Sequence, residues 1–219
     1  MLLPIINKKC IIISDLHLGA HNCQSEFIIR FLENIKTQKL IIAGDLFDSF
    51  NIKLNKNEWK ILECLHNLDS ELIWIKGNHD TYYESVIMAK LIGAEFYPDY
   101  YIFDKILILH GDIFDTFLTN HPILTNIADY FYYILQKMDK SHNLAKFMKH
   151  RSKNYLHCSE VIARESKNYA NKLHCDIVCA GHSHFAIQDG NYYNSGSWTE
   201  LPCTYLSIKN EDVELCTFQ

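Results

Sequence analysis

The chain has 219 residues, of which 48% are hydrophobic and 21% are charged, with only eight glycines and four prolines. This composition indicates one globular domain over residues 1–219 and excludes a disordered or fibrous chain. The formal net charge of −5 gives no overall attraction to nucleic acid or to anionic lipid.

The cysteines and the apolar runs indicate a cellular compartment. No two of the eight cysteines form a C-x-x-C pair, and several lie inside apolar runs, so we expect reduced thiols that pack as small core residues. No run reaches the roughly 18 consecutive apolar residues that cross a bilayer, and no cleavage pattern follows the N-terminus. We therefore expect a cytoplasmic protein, with peripheral contact at the inner membrane left open.

Five short apolar runs predict buried strands, and each run is followed at once by aspartate, asparagine or histidine. In chain order the runs are residues 9–13, 39–43, 71–76, 105–109 and 176–180. Their near-continuous Ile, Leu and Val content predicts sheets that are covered on both faces. Because ligand sites in layered α/β folds form at the carboxyl ends of strands, we expect the five junctions to converge on one place.

The junctions carry side chains that bind metal ions. They read S-D-L-H (14–17), G-D-L-F-D (44–48), G-N-H-D (77–80), H-G-D (110–112) and G-H-S-H (181–184). Residues i and i+2 of an extended segment point to the same side, so His182 and His184 can present two ligands to one point, as can Asp15 and His17. Imidazole, carboxylate and amide together suit Mn, Fe, Zn or Ni, and the lack of cysteine argues against a closed structural zinc site.

Each junction taken alone also has an ordinary structural interpretation. Aspartate after a strand commonly forms a turn, and Gly-Asp is ordinary turn chemistry. Two histidines at i and i+2, as in G-H-S-H, have few structural uses, and G-N-H-D is of similar specificity. The five junctions together, each behind a predicted strand, favour a metal site over five unrelated turns.

A long segment between the fourth and fifth junctions, about residues 120–172, shows helical periodicity. Apolar residues recur at helical spacing over 127–138, and shorter patterns predict a basic second helix near 144–151 and a third over 161–173. Residues 136–172 hold nine Lys and Arg against three Asp and Glu. Two interpretations stay open: a helical layer that covers the sheet, or a cap for a substrate with an acyl or aromatic part and phosphates.

The C-terminal part predicts closing strands around two turns. Gly190-Asn191 and Asn210-Glu211 each lie between strand-like runs. Tyr192, Tyr193 and Trp198 are expected in the core. Asn194 and Ser197 lie near the motif loops, but the pattern assigns them no role.

The motifs D-x-H, G-D-x-x-D, G-N-H-D, H-G and G-H-x-H, in this order, resemble those of the calcineurin-like metallophosphoesterase superfamily over residues 15–184. The resemblance implies an α/β (α+β) four-layer fold: a two-sheet β sandwich flanked by helices, with a helical cap insertion at about 120–172. It also implies a dinuclear metal centre at the strand ends. One ion would be held by Asp15, His17, Asp45 and His184, and the other by Asp45, Asn78, His110 and His182.

The resemblance also implies a reaction, the hydrolysis of phosphoric ester or pyrophosphate bonds. Two divalent transition-metal ions, manganese first and Fe, Zn or Ni as alternatives, would prepare a bridging hydroxide to attack phosphorus. His79 would stabilise charge or protonate the leaving oxygen. Asp80 would orient the His79 ring.

Within the superfamily the chain is most similar to the UDP-2,3-diacylglucosamine pyrophosphatase branch of lipid A biosynthesis. The similarity includes G-D-L-F-D at 44–48, H-G-D followed by Phe114-Asp115, and N-S-G-S-W-T-E at 194–200. Members of that branch often carry Arg at the position of His79 and commonly Asp at that of Ser197.

The resemblance sets the expected partners and the alternatives. The partner would be a small-molecule or lipid-linked phosphate substrate, without a stable nucleic-acid partner and with a peripheral membrane contact through the basic helical cap. The sequence does not predict the oligomeric state. The alternatives are a phosphodiesterase or nuclease that acts on nucleotides or nucleic acid, and a non-catalytic scaffold of the same fold.

Overall fold

Strands and helices are described by a computed structural model for residues 6–115, 153–209 and 212–219. The strands are β1 (Ile6–Ile13), β2 (Ile35–Ala43), β3 (Glu71–Ile75), β4 (Ala94–Tyr97), β5 (Tyr100–Phe103), β6 (Ile106–Leu109), β7 (Ile177–Ala180), β8 (Ile187–Asp189), β9 (Tyr192–Asn194), β10 (Cys203–Lys209) and β11 (Asp212–Phe218). The helices are α1 (Ser25–Asn34), α2 (Lys56–His66), α3 (Tyr82–Ile92) and α4 (Lys153–Lys172), with a short 3-10 helix at Asp112–Phe114. All five predicted strands are therefore confirmed, as β1, β2, β3, β6 and β7.

The strands form two mixed sheets. The six-stranded sheet has the order β11-β10-β1-β2-β3-β4, and the five-stranded sheet has the order β5-β6-β7-β9-β8. Strands β1 to β4 run parallel to one another, as do β6, β7 and β9, while β5, β8, β10 and β11 pair antiparallel with their neighbours. Parallel strands end at the same edge of a sheet, so the polar junctions of each sheet lie side by side.

The two sheets and their helices form four layers. Along β1, Cys10 and Ile12 pack between the sheets, whereas Ile11 and Ile13 pack on the opposite face among buried residues of α1 and α2. On the outer face of the five-stranded sheet, Val178 packs with Ala170 of α4. The continuous apolar runs follow from this arrangement, because both faces of each central strand are covered. The predicted four-layer fold, a two-sheet sandwich between helices, is confirmed.

The predicted segment at about 120–172 is described only in part. Its third predicted helix is confirmed as α4, which buries Ile162 and Ala170. The first two predicted helices lie outside the described residues. The described end of the segment therefore forms a layer on the sheet, and the cap interpretation of its earlier part stays a prediction.

The two predicted C-terminal strand pairs are also confirmed. Strands β8 and β9 flank Gly190, and β10 pairs antiparallel with β11. Gly190 has a φ of +60°, in the left-handed region that glycine enters without strain. Among the described helices, none combines the length and the apolar character that a membrane crossing requires.

Helix α2 is tied to the first junction by one buried carboxylate. The Asn55 side chain accepts the backbone N–H groups of Asn57 and Glu58, and Glu58 Oε2 accepts that of Asn55 at 2.7 Å, which completes a capping box. The other oxygen, Glu58 Oε1, accepts the N–H of Gly19 at 2.9 Å. The start of α2 therefore also fixes the loop that follows His17.

Two buried serines in helices give the first testable prediction. Ser85 in α3 and Ser166 in α4 are fully buried, and neither hydroxyl has a hydrogen-bond partner among the described residues. Because alanine removes the unpaired hydroxyl and favours helix, each Ser→Ala change is expected to raise the free energy of unfolding by about 1 kcal/mol. Urea denaturation measures this. Ser207→Ala, which removes a hydroxyl in contact with Cys216 Sγ, should lower it, and a loss in all three variants would contradict the prediction.

Candidate metal centre

The first two junctions lie side by side through backbone hydrogen bonds. Asp15 N donates to Gly44 O at 3.1 Å, and His17 N donates to Asp45 O at 3.0 Å. The pairing continues with Leu18 N donating to Leu46 O at 2.9 Å. This backbone pairing extends beyond the ends of β1 and β2 and brings Asp15, His17 and Asp45 to one edge.

A first group of predicted ligands meets at this edge. His184 Nε2 lies 3.1 Å from Asp15 Oδ1 and 3.2 Å from His17 Nε2. His17 Nε2 lies 3.6 Å from Asp45 Oδ2. These four residues are those that the resemblance assigns to one metal ion, and their ligand atoms face one another.

A second group lies beside the first and shares Asp45 with it. His110 Nε2 lies 3.2 Å from Asp45 Oδ2 and 3.1 Å from Asn78 Oδ1. Ligand atoms of Asp45, His110 and His182 all lie within 4.8 Å of one another. The structure thus brings together all the residues predicted as ligands, in two groups, although their binding of metal stays a prediction.

The backbone is strained at most of these residues. Asp15, His17, Asp45, His182 and His184 have φ values between +47° and +64°, in the left-handed region that residues other than glycine seldom enter. Each such residue costs about 1 kcal/mol or more. Strain of this kind gathers at functional sites, where the surrounding structure holds it for the sake of side-chain placement.

Glycine begins three of the junctions because the loops cross at very short range. A Cβ atom on Gly77 would collide with the carboxylate of Asp45 and lie 2.5 Å from its backbone nitrogen. A Cβ atom on Gly181 would lie 2.6 Å from Asp15 Oδ2, and one on Gly44 would collide with the His110 ring. The glycines therefore allow ligands from different strands to approach one another.

Gly77→Ala tests this close approach. We expect the variant to lose about 3 kcal/mol of unfolding free energy, because the added methyl meets the backbone of Asp45, which cannot move away as a side-chain tip could. Gly190→Ala is the matched control, since its Cβ meets nothing within 4 Å and only the positive φ is strained, at about 1 kcal/mol. Equal losses in denaturant unfolding would contradict the crowding at Gly77.

The chemistry of Asp15 fits a bound cation. Its Oδ2 atom accepts hydrogen bonds from Ser14 Oγ at 2.5 Å and from His182 N at 3.0 Å. Its Oδ1 atom is buried, and no donor among the described residues reaches it with good hydrogen-bond geometry, although the Nε2 atoms of His184 and His17 lie 3.1 and 3.8 Å away. A buried carboxylate oxygen without a donor is costly, and a metal ion among these atoms would satisfy it.

The charges of the site also favour cations. Burial raises the pKa of Asp15, but attraction to the imidazoles, first that of His184, holds it well below its usual value. Burial opposes the charged form of His17, yet the carboxylates of Asp15 and Asp48 raise its pKa to about 10, and Asp45 raises that of His110 to about 10 in the same way. Buried carboxylates thus retain negative charge, and metal binding would displace the imidazole protons.

His79 lies at the open side of the first group. Its ring centroid is 4.8 Å from that of His17, and 40% of its side chain is exposed. Its Nδ1 atom lies 2.9 Å from the carbonyl oxygen of Asp48, and its backbone N–H donates to Asp45 Oδ1 at 2.9 Å. The ring is therefore oriented beside the predicted ligands and is partly exposed to solvent.

Asp80 does not orient the His79 ring, and that part of the prediction is wrong. Its carboxylate accepts the backbone N–H groups of Asp45 at 2.8 Å and Gly77 at 3.0 Å, together with those of Phe47 and the Trp74 indole. Burial and then the charge of Asp45 raise the pKa of Asp80 to about 6. The carboxylate is occupied by donors of two loops, so Asp80 fixes the second junction against the third.

Two aspartates that the sequence analysis did not assign orient the histidines instead. Asp48 Oδ1 lies 3.2 Å from His17 Nδ1. Asp115 Oδ2 lies 3.1 Å from His182 Nε2, so metal binding by this ring would fall to Nδ1. The second aspartate of G-D-L-F-D was a sequence signal for Asp48, whereas no spacing rule links Asp115 to His182.

The N-S-G-S stretch at 194–197 supports the fifth junction from behind. Asn194 is fully buried and donates from Nδ2 to Gly181 O at 2.6 Å. Ser197 Oγ lies 3.0 Å from Thr199 Oγ1, which lies 3.5 Å from His184 Nδ1. Both residues act on the ligand loop without being ligands themselves.

This fold and this cluster of Asp and His side chains define a metallophosphoesterase. The profile of the calcineurin-like phosphoesterase family matches residues 8–186, most of the chain. The chain belongs to this family, whose members hydrolyse phosphoesters with the help of metal ions.

Solved structures that are similar to the chain include the following three. AQ665, a protein of unknown function from Aquifex aeolicus, has 20% identity and a TM-score of 0.46 over 84% of this chain and 83% of its own. The phosphoesterase Yfce from E. coli has 16% identity and a TM-score of 0.47 over 96% and 99%. The nuclease MPE from Pseudomonas putida has 15% identity and a TM-score of 0.39 over 47% and 54%. No curated protein matches the chain in sequence. Because all three TM-scores are below 0.5, family membership rests on the profile match.

Proposed function

We propose that the chain is a dinuclear metal-dependent phosphoesterase that cleaves a phosphoester or pyrophosphate bond. The observation that carries the proposal is the position of Asp45 between the two ligand groups. Its Oδ2 atom lies 3.6 Å from His17 Nε2 in the first group and 3.2 Å from His110 Nε2 in the second. One carboxylate shared by two sets of ligands is the arrangement that holds two ions close together.

The ligand types favour a transition metal at both positions. The first group offers two imidazoles and two carboxylates, and the second offers two imidazoles, an amide and the shared carboxylate. Such mixed nitrogen and oxygen sets suit manganese, with iron, zinc and nickel as alternatives. When bound, the two ions would lower the pKa of a water molecule and neutralise phosphate charge.

His79 would donate the proton that the leaving group takes up. His79 presents a solvent-facing imidazole beside the first ligand group, with Nδ1 held by the Asp48 carbonyl oxygen at 2.9 Å. A ring fixed at one nitrogen can deliver a proton from the other to a departing oxygen. Asp48 thereby serves two rings, since its carboxylate also holds His17.

We further propose a substrate similar to UDP-2,3-diacylglucosamine. The proposal is supported by the sequence similarity to that pyrophosphatase branch, and two residues of the shared stretches contact the site. Asp115 lies against His182, and Asn194 lies against Gly181. A lipid-linked substrate would bring the chain to a membrane surface, where the basic stretch at 136–172 would face anionic headgroups.

A set of three substrates tests the proposal. The purified chain with added Mn²⁺ is assayed on a chromogenic phosphodiester, on UDP-2,3-diacylglucosamine and on single-stranded DNA, and each assay is repeated with chelator. We expect chelator-sensitive release of UMP from the sugar nucleotide. Cleavage of the chromogenic phosphodiester alone would support phosphoesterase activity and would show that UDP-2,3-diacylglucosamine is not a substrate. Cleavage of DNA would favour a nuclease, and no cleavage at all would favour a scaffold.

A further inference from the structure

The two oxygens of Asp15 have different surroundings. Oδ1 faces the imidazoles of the first ligand group, while Oδ2 points into the interior, where it accepts from His182 N at 3.0 Å and from Ser14 Oγ at 2.5 Å. A carboxylate held in this way offers one oxygen to an ion and keeps the other in the protein. The residue that fixes the inner oxygen therefore controls how the ligand is presented.

Ser14 is itself held by a residue from the far end of the chain. Its hydroxyl lies 2.7 Å from Ser195 Oγ and 3.2 Å from Gly196 O. Ser14, Asp15 and Ser195 are all fully buried. Ser195 directly follows β9 of the five-stranded sheet, whereas Ser14 directly follows β1 of the six-stranded sheet. The contact thus joins the two sheets beneath the metal ligand.

The number of available protons fixes the direction of the hydrogen bonds among Ser195, Ser14 and Asp15. An ionised carboxylate can only accept, and a serine hydroxyl has one proton to donate. The shortest contact of Ser14 is with Asp15 Oδ2, so its proton goes there and its lone pairs are left to accept. Ser195 must then be the donor in its contact with Ser14. Ser195 Oγ also lies 3.2 Å from Ala180 O, but that carbonyl accepts the backbone N–H of Ser195 at 2.9 Å, and the hydroxyl contact with Ser14 is shorter at 2.7 Å.

We propose that Ser195 is a positioning residue for the metal ligand Asp15, acting through Ser14. The hydrogen bonds from Ser195 to Ser14 and from Ser14 to Asp15 hold Oδ2 inward and turn Oδ1 toward the first ligand group. Hydrogen bonds in series strengthen one another, so loss of the Ser195 hydroxyl weakens the hold of Ser14 on the carboxylate. This inference rests on the proposed metal centre, because Asp15 has a ligand to present only if an ion binds there.

Titration with Mn²⁺ by calorimetry tests the inference without any substrate. Substitution of a residue that hydrogen-bonds to a metal ligand typically weakens metal affinity by about 10- to 100-fold. We expect Ser195→Ala and Ser14→Ala each to weaken binding at one of two Mn²⁺ sites about tenfold and to leave the other within about twofold. Ser207→Ala, the same substitution at a buried position of β10, serves as the control and should bind as the wild type does.

Mn²⁺ binding by the wild-type protein distinguishes a failure of the proposed function from a failure of this inference. Wild-type protein that binds no Mn²⁺ would overturn both the proposed function and this inference. Wild-type protein that binds two ions, with Ser195→Ala binding them equally well, would overturn the inference alone. Unfolding of each metal-free variant in urea shows whether a weakened Mn²⁺ affinity reflects a loss of fold. A weakened affinity in Ser207→Ala too would also indicate a loss of fold.

A double variant tests whether Ser195 acts on Asp15 through Ser14. If Ser195 acts through Ser14, the variant Ser14→Ala/Ser195→Ala binds Mn²⁺ as weakly as Ser14→Ala alone, whereas independent effects would multiply. A multiplied loss would overturn the relay. Should Ser14→Ala not fold, Ser195→Cys decides the matter, because a thiol has similar size but donates weakly. We expect Ser195→Cys to resemble Ser195→Ala, and wild-type affinity in this variant would overturn the inference.

Discussion

Asp45→Asn is expected to lower kcat by about a thousandfold or more. The Asp45 side chain is almost fully buried between the two ligand groups, within 3.6 Å of His17 Nε2 and 3.2 Å of His110 Nε2. Asparagine keeps its shape and can still accept the His79 N–H, but it removes the charge that both ions would share. Binding at both metal positions should therefore fail together.

Metal content and turnover measured on the same preparation check this result. Protein loaded with Mn²⁺ and dialysed is analysed for metal by mass spectrometry and then assayed on a chromogenic phosphodiester. Asp99→Asn, an exposed aspartate in the turn between β4 and β5, is the matched control and should retain both metal and turnover. An Asp45→Asn protein that keeps two ions per chain and wild-type turnover would contradict the shared-ligand role.

His79→Ala is expected to keep its metal and to lose turnover by about 100- to 10,000-fold. The His79 ring contacts the Asp48 carbonyl and lies against the His17 ring, but its side chain is partly exposed and belongs to neither ligand group. Removing it should leave the ions in place and take away only the group that protonates the leaving oxygen or stabilises its charge. His21→Ala, at an exposed position of the first loop, provides the control.

Two substrates distinguish the roles that His79 could have. A nitrophenolate leaving group departs without a proton, so the loss in His79→Ala should be smaller for that substrate than for an alkyl phosphodiester. Equal losses on both would favour charge stabilisation over proton transfer. Loss of metal from the variant would show that His79 is a ligand, which contradicts the assignment.

Much of the fold was predictable because the central strands are covered on both faces. Runs such as Ile11–Ile13 and Ile106–Leu109 are apolar at every position, and a predicted ligand follows each within two residues. The short strands β4 and β5 were not predicted. Their side chains are only partly buried, and partners from the larger sheet and from β6 stabilise them, so their own sequences carry little signal.

The residues that gather at the candidate site were more predictable than the groups that hold them. The predicted ligands stand out in the sequence because metal binding requires Asp, Asn and His side chains, and these residues follow the strand ends. Their supports do not, since the partners are distant in sequence: 31 residues separate His17 from Asp48, 67 separate His182 from Asp115, and 181 separate Ser14 from Ser195. Asp80 was misassigned for the same reason, because adjacency to His79 in sequence did not mean contact with its ring.

Anomalous scattering from a crystal soaked in Mn²⁺ tests the central claim most directly. The account predicts two neighbouring peaks, one among Asp15, His17 and His184 and the other among Asn78, His110 and His182, with Asp45 in contact with both. A single peak away from Asp45, or imidazoles turned apart with no peak between them, would contradict it.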